Sequence, residues 1–164
     1  MHSLNFVIFL LLSPTLARAS IVGNILLDAK QCGKATFRFL GFPIHKARLC
    51  THGGRAFGWQ QDFALELTYQ RNLPEYNLVE VTPREMKRLD QTPSVEDQLA
   101  RSFDDGGLGD RYLAITNGSV RIGLWRNGRS AYTLSHPQIK HHFMSIFLGE
   151  NSRLVKFTRN LRGL

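Results

Sequence analysis

The stretch from Gly33 to Thr51, GKATFRFLGFPIHKARLCT, constrains the fold of this chain more than any other. Ala35, Phe37 and Phe39 alternate with Lys34, Thr36 and Arg38. After Leu40-Gly41-Phe42, a second run alternates Pro43, His45, Ala47 and Leu49 with Ile44, Lys46 and Arg48. A period of two sends successive side chains to opposite faces, so each run reads as a strand with one buried and one wet face. Gly41 permits the reversal between them. The prediction is a long β-hairpin on which a sheet is built.

Two cysteines flank this hairpin, Cys32 and Cys50. With Leu40-Gly41-Phe42 as a three-residue loop, Phe39 faces Pro43, Phe37 faces His45, Ala35 faces Ala47 and Cys32 faces Cys50. That register keeps the apolar face together and predicts a Cys32–Cys50 disulfide, because a zinc site would need two more ligands at regular spacing. It also puts Arg38 opposite Ile44, on the other face from His45. A two-residue loop one position further on would bring Arg38 and His45 together and part the cysteines. A bulge at Gly33 would reconcile the two arrangements.

Residues 1–19 read as a signal peptide: an apolar run from Phe6 to Leu12, a Ser13-Pro14 break, and the small-x-small site Ala17-Arg18-Ala19 before Ser20. The run is too short to span a bilayer as a helix. The expected location is periplasmic or secreted, with one domain over residues 20–164. The chain carries a formal charge of +8, which becomes +7 once Arg18 is removed. Its cations are spread through Lys34, Arg38, Lys46, Arg48, Arg84, Lys87, Arg88 and the tail, and are not gathered with base-contacting groups on one element. That spacing points away from nucleic acid and toward a solvated basic surface suited to an anionic envelope partner.

Downstream, Gln61 to Gln70 alternates Phe63, Leu65, Leu67 and Tyr69 as another strand. Thr82-Pro83-Arg84-Glu85 carries a capping Thr, Pro at the first helical position and Glu three residues after the cap, and predicts a helix to Leu89. Ser94 opens a second helix with Val95, Leu99 and Phe103 at helical spacing. The acidic run Asp104 to Asp110 lacks calcium-loop spacing and reads as a turn. Two Asn-Gly pairs, at 117 and 127, divide three short strands into a meander with type I′ turns. Ser135-His136-Pro137 opens a third helix ending at Gly149, with Ile139, Phe143, Ile146 and Phe147 inward. His141 and His142 point about 100° apart on it and cannot chelate a metal together. A last helix follows Asn151 with Leu154, Phe157 and Leu161 inward. No cofactor or metal pattern is present.

Arg38-Phe39, Gly41-Phe42 and the run Ile44, His45, Lys46, Ala47, Arg48, Leu49, Cys50 resemble chalcone isomerase-like proteins, in particular their short bacterial secreted branch. Phe147-Leu148-Gly149 and the ending Leu161-Arg162-Gly163-Leu164 extend the likeness over residues 22–164. His45 and Cys50 stand where that branch usually has tyrosines. The resemblance implies an α+β open-faced β-sandwich, a large antiparallel sheet with helices packed on one face and a ligand cleft between. Isomerases of the family use an Arg with a Tyr, Thr and Asn network. At those helix positions this chain offers Arg84, Glu85 and Leu78, so the resemblance implies binding without catalysis. Fatty-acid-binding relatives hold a carboxylate with an Arg and a Tyr. The implied ligand is a small anionic amphiphile such as a fatty acid, with Arg38 and His45 as ligand-binding residues. A ligand-free interaction module and an isomerase or lyase acting on an enone are the alternatives.

Overall fold

The computed structural model of the chain describes residues 21–72, 82, 84–88, 98 and 107–164. The proposed signal peptide and the proposed helix of Val95, Leu99 and Phe103 lie outside the described residues. Six strands form one antiparallel sheet in sequence order: β1 (Ala29–Phe39), β2 (Phe42–His52), β3 (Phe63–Tyr69), β4 (Arg111–Asn117), β5 (Arg121–Arg126) and β6 (Arg129–Ser135). A one-turn helix, α1 (Ile21–Ile25), precedes them, and α2 (Ile139–Leu148) and α3 (Val155–Leu161) follow.

Alternation along each strand separates the faces. Ala35, Ala47, Leu49, Phe63, Leu65, Ala114, Ile122, Leu124 and Leu134 pack against Ile139, Phe143, Met144 and Leu148 of α2, and Phe157 and Leu161 of α3. Met86, from the helical residues 84–88, joins the same core. Each fully buried Leu, Ile or Phe there contributes roughly 1.5–3 kcal/mol relative to exposure. The opposite face is thinner: Cys50, Ala64, Leu113 and Ile115 are covered by Val22 of α1, with Ile21, Leu26 and Trp125 around them. This is the α+β open-faced arrangement expected, with the longer helices on one face and a single turn, which the sequence pattern did not disclose, on the other.

The hairpin keeps the expected register in its middle, where Phe37 faces His45 and Ala35 faces Ala47. It departs at both ends. The tip is a two-residue turn, Leu40-Gly41, with both φ positive (49° and 83°), so Phe39 pairs with Phe42 and Ile44 is left over as a bulge. At the base Gln31 faces Cys50 and Gly33 faces Leu49, which leaves Cys32 as the extra residue. Cys32 therefore packs with the helix-side core while Cys50 lies in the α1-side cluster, and both are free thiols. The predicted disulfide is corrected on this ground: the bulge turns the two sulfurs to opposite faces of the sheet.

The bulge has a tertiary cause. The carboxyl end of α3 lies on β1, so a Cβ added at Gly33 would overlap the Leu161 carbonyl, and one added at Gly163 would press on the Cys32 carbonyl. Gly33 supplies the room, and the extra residue beside it bends the strand away.

Two boundaries also differ from expectation. Ser135 ends β6 paired with Arg121, its backbone N–H donating to the Gln98 side chain, and α2 starts later, after Gln138 at φ 63°. The first Asn-Gly pair does not make a type I′ turn: Asn117 pairs with Arg121 inside the ladder, leaving Gly118-Ser119-Val120 as a three-residue loop. Asn127-Gly128 does make one, with φ values of 49° and 84°.

Candidate functional site

The helix-facing surface of the sheet carries a row of aromatic rings near the hairpin tip. Phe37 on β1 lies 5.2 Å from the His45 ring on β2, and His45 lies 6.2 Å from Tyr69 on β3. Tyr69 is 5.2 Å from Tyr112 on β4, and the Arg126 guanidinium of β5 sits over Tyr112 at 5.5 Å. The pairings dictate this ladder, since His45 faces Phe37 on one side and Tyr69 on the other, and Tyr112 faces Arg126. Phe157 of α3 closes over it, 5.6 Å from His45 and edge-on to Phe37.

His45 is the unusual member. Burial among these rings pushes its pKa down to about 4, and its Nδ1 is buried with no hydrogen-bond partner. A buried polar atom left unpaired costs about 1–3 kcal/mol. Tyr69 beside it is raised, first by burial and then by Tyr112 and Asp110. At the far end Asp110 accepts from the Gly107 N–H, the Asn127 amide and Arg126, each at 2.8 Å. Those donors hold its carboxyl down at about 2, Asn127 contributing most. The last acid of the glycine-rich run is thus committed to a turn clamp, whose arginine borders an open recess of about 420 Å³ with Asn127, Arg129, Ser130 and Ala131.

Arg38 and His45 are not brought together. Arg38 is exposed at the tip, where its guanidinium donates to the Gly41 carbonyl at 3.2 Å, and it stands across from Pro43. The arginine on the His45 ladder is Arg126. Sequence reasoning missed Tyr112 and Arg126 as site residues, and read Tyr69 only as an inward strand residue. The helix position tested for isomerase chemistry holds Glu85, which pairs with Arg88 at 2.8 Å and Arg153 at 3.4 Å. The buried threonines are committed as well: Thr51 and Thr158 donate to the Arg55 and Phe147 carbonyls, and Thr116 bridges Asp62 and the Phe63 backbone. Among the described residues no group of three or more His, Cys, Asp or Glu side chains is placed to hold a metal, and no helix is long and apolar enough to cross a membrane.

An open-faced sheet under helices, with a polar-tipped aromatic ladder between them, defines a class of α+β domain. No family model matches the chain, and no curated protein matches it in sequence. Among solved structures it is similar to a fatty-acid binding protein of Arabidopsis thaliana, with a TM-score of 0.61 and 7% identity, covering 83% of this chain and 87% of that one. At that identity the likeness is one of fold, and the fold is the chalcone isomerase-like one.

Proposed function

We propose that this protein binds a small anionic amphiphile, such as a fatty acid, without transforming it, and that it does so in a periplasmic or secreted setting. The ligand's tail lies along the helix-facing side of the sheet, against Phe37, Tyr69 and Phe157. Its carboxyl group meets His45. The observation that carries this reading is the His45 Nδ1, an unpaired polar atom in an aromatic wall. An N–H there would donate to a carboxylate and relieve the cost of burial. The fold shared with a fatty-acid binding protein supports the ligand class, and the apolar run before Ala19 supports the location.

Native mass spectrometry of the protein incubated with palmitate tests the reading. One palmitate should be retained by the wild type and lost in His45→Phe, a change that the surrounding rings accommodate. Retention by both, or by neither, contradicts it. A second reading, a surface-interaction module, is favoured by a separate observation at the hairpin tip.

A further inference from the structure

The far end of the β1–β2 hairpin is apolar and uncovered. Phe39 is 61% exposed, Leu40 81% and Phe42 56%. Leu40 holds φ at 49°, where a side chain other than Asn, Asp or Gly is disfavoured. The same chain forms the same turn at Asn127-Gly128 with nearly identical φ values, and places there the residue that the geometry prefers. Nothing in the packing accounts for a leucine at the tip, since its side chain is in solvent. A strained, exposed apolar residue points to a role outside the fold.

The charge beneath the tip is of one sign. β1 and β2 carry Lys30, Lys34, Arg38, Lys46 and Arg48, and not one Asp or Glu. Arg48 is paired with Glu66, and Lys30 with Asp28. Lys34, Arg38 and Lys46 are exposed and form no ion pair among the described residues. Arg71 adds a guanidinium stacked on the Phe42 ring at 4.7 Å. Arg38 directly precedes Phe39 at the apolar tip, and Lys46 lies four residues from Phe42, roughly 13 Å along a strand. A bilayer's polar layer is roughly 5–8 Å deep on each side. With the tip at the base of that layer, Arg38 and Arg71 stand among the headgroups, Lys46 remains within about a Debye length of the surface, and Lys34 lies further out.

We propose that the β1–β2 tip docks on an anionic lipid bilayer, Phe39, Leu40 and Phe42 entering the headgroup layer while Arg38 and Arg71 engage lipid phosphates and Lys46 and Lys34 add positive potential above them. A convex, two-residue protrusion presents no groove or flat face for a folded partner and fits a deformable medium. The surface does not depend on the ligand reading of the His45 ladder.

Cosedimentation with phosphatidylcholine vesicles, with and without phosphatidylglycerol, tests it. The apolar stretch near the amino terminus is common to every variant, so the tip-dependent difference is the readout. Wild type should pellet with phosphatidylglycerol vesicles and be released by salt. Leu40→Asn restores the preferred Asn-Gly turn and so keeps the fold, yet should weaken binding about tenfold. Arg38→Ala and Lys46→Ala should each weaken it about fivefold on anionic vesicles only. Equal pelleting of wild type and Leu40→Asn would overturn the proposal, as would wild type remaining in the supernatant with anionic vesicles, the result expected of a surface for a protein partner.

Discussion

The β1–β2 and β5–β6 hairpins close with the same backbone turn and are held by different means. At Asn127-Gly128 the turn residue is tied into the fold: the Asn127 side chain donates to Asp110 and accepts from the Arg111 N–H at 2.9 Å. At Leu40-Gly41 the turn residue touches little, and the hairpin is fixed from its base, where the end of α3 rests on Gly33. A short hairpin is secured at its tip by hydrogen bonds. The long one is secured at its root by close packing, which leaves its tip available for other work.

The largest effect should come from closing the space at the root. Gly33→Ala forces the Leu161 carbonyl away from β1 and should cost about 3 kcal/mol or more, read as a fall in the urea midpoint. Acid should then separate the two hairpins. His45 is depressed to about 4 from 6.5 by burial, so its unfolded form binds a proton first, and the stability it confers is full above pH 6.5 and lost as pH falls toward 4. The loss should be about 3 kcal/mol, and His45→Phe should abolish that part of the pH dependence. Asp110 falls to about 2 from 3.8 through its hydrogen bonds, so its contribution is present above pH 4 and disappears only as pH drops toward 2. Asp110→Asn should remove at most about 1.5 kcal/mol at neutral pH, since solvent screens part of the carboxylate's interactions, and should flatten the lower window.

A smaller effect tests the turn itself. Leu40→Asn should stabilise the protein by about 1 kcal/mol, and thermal unfolding that moves down would show that the leucine is held by contacts after all. The smallest should be none: a denatured, unreduced mass at the full thiol value and a melting temperature indifferent to reductant, since Cys32 and Cys50 lie on opposite faces.

What the sequence could disclose followed the reach of its patterns. Alternation in Gly33 to Thr51 and in Phe63 to Tyr69 encodes a buried face locally, so the strands, their inward residues and the central register were legible. The bulge at Cys32 was not, because its cause is Leu161, more than a hundred residues away in the chain. Asn117-Gly118 looks like Asn127-Gly128 in sequence, but the Gly118 N–H donates to Asp62 at 3.0 Å, and the loop widens. Of the candidate site, His45 was legible as an inward residue of an amphipathic strand. Tyr112 and Arg126 join it only through the β3–β4 pairing, which brings together segments separated by some forty residues. The glycine at 41 announced a reversal without revealing that Leu40 would enter the left-handed region beside it.

The most direct test of the binding claim is the titration of the His45 ring by NMR with and without laurate. In the free protein the imidazole should titrate near pH 4, as burial among Phe37, Tyr69 and Phe157 dictates. With laurate bound, a carboxylate at Nδ1 favours the charged ring and should raise that midpoint by at least one pH unit, an order-of-magnitude expectation for a neighbouring opposite charge. A midpoint unmoved by saturating laurate would contradict His45 as the carboxylate partner and leave the aromatic ladder as core alone.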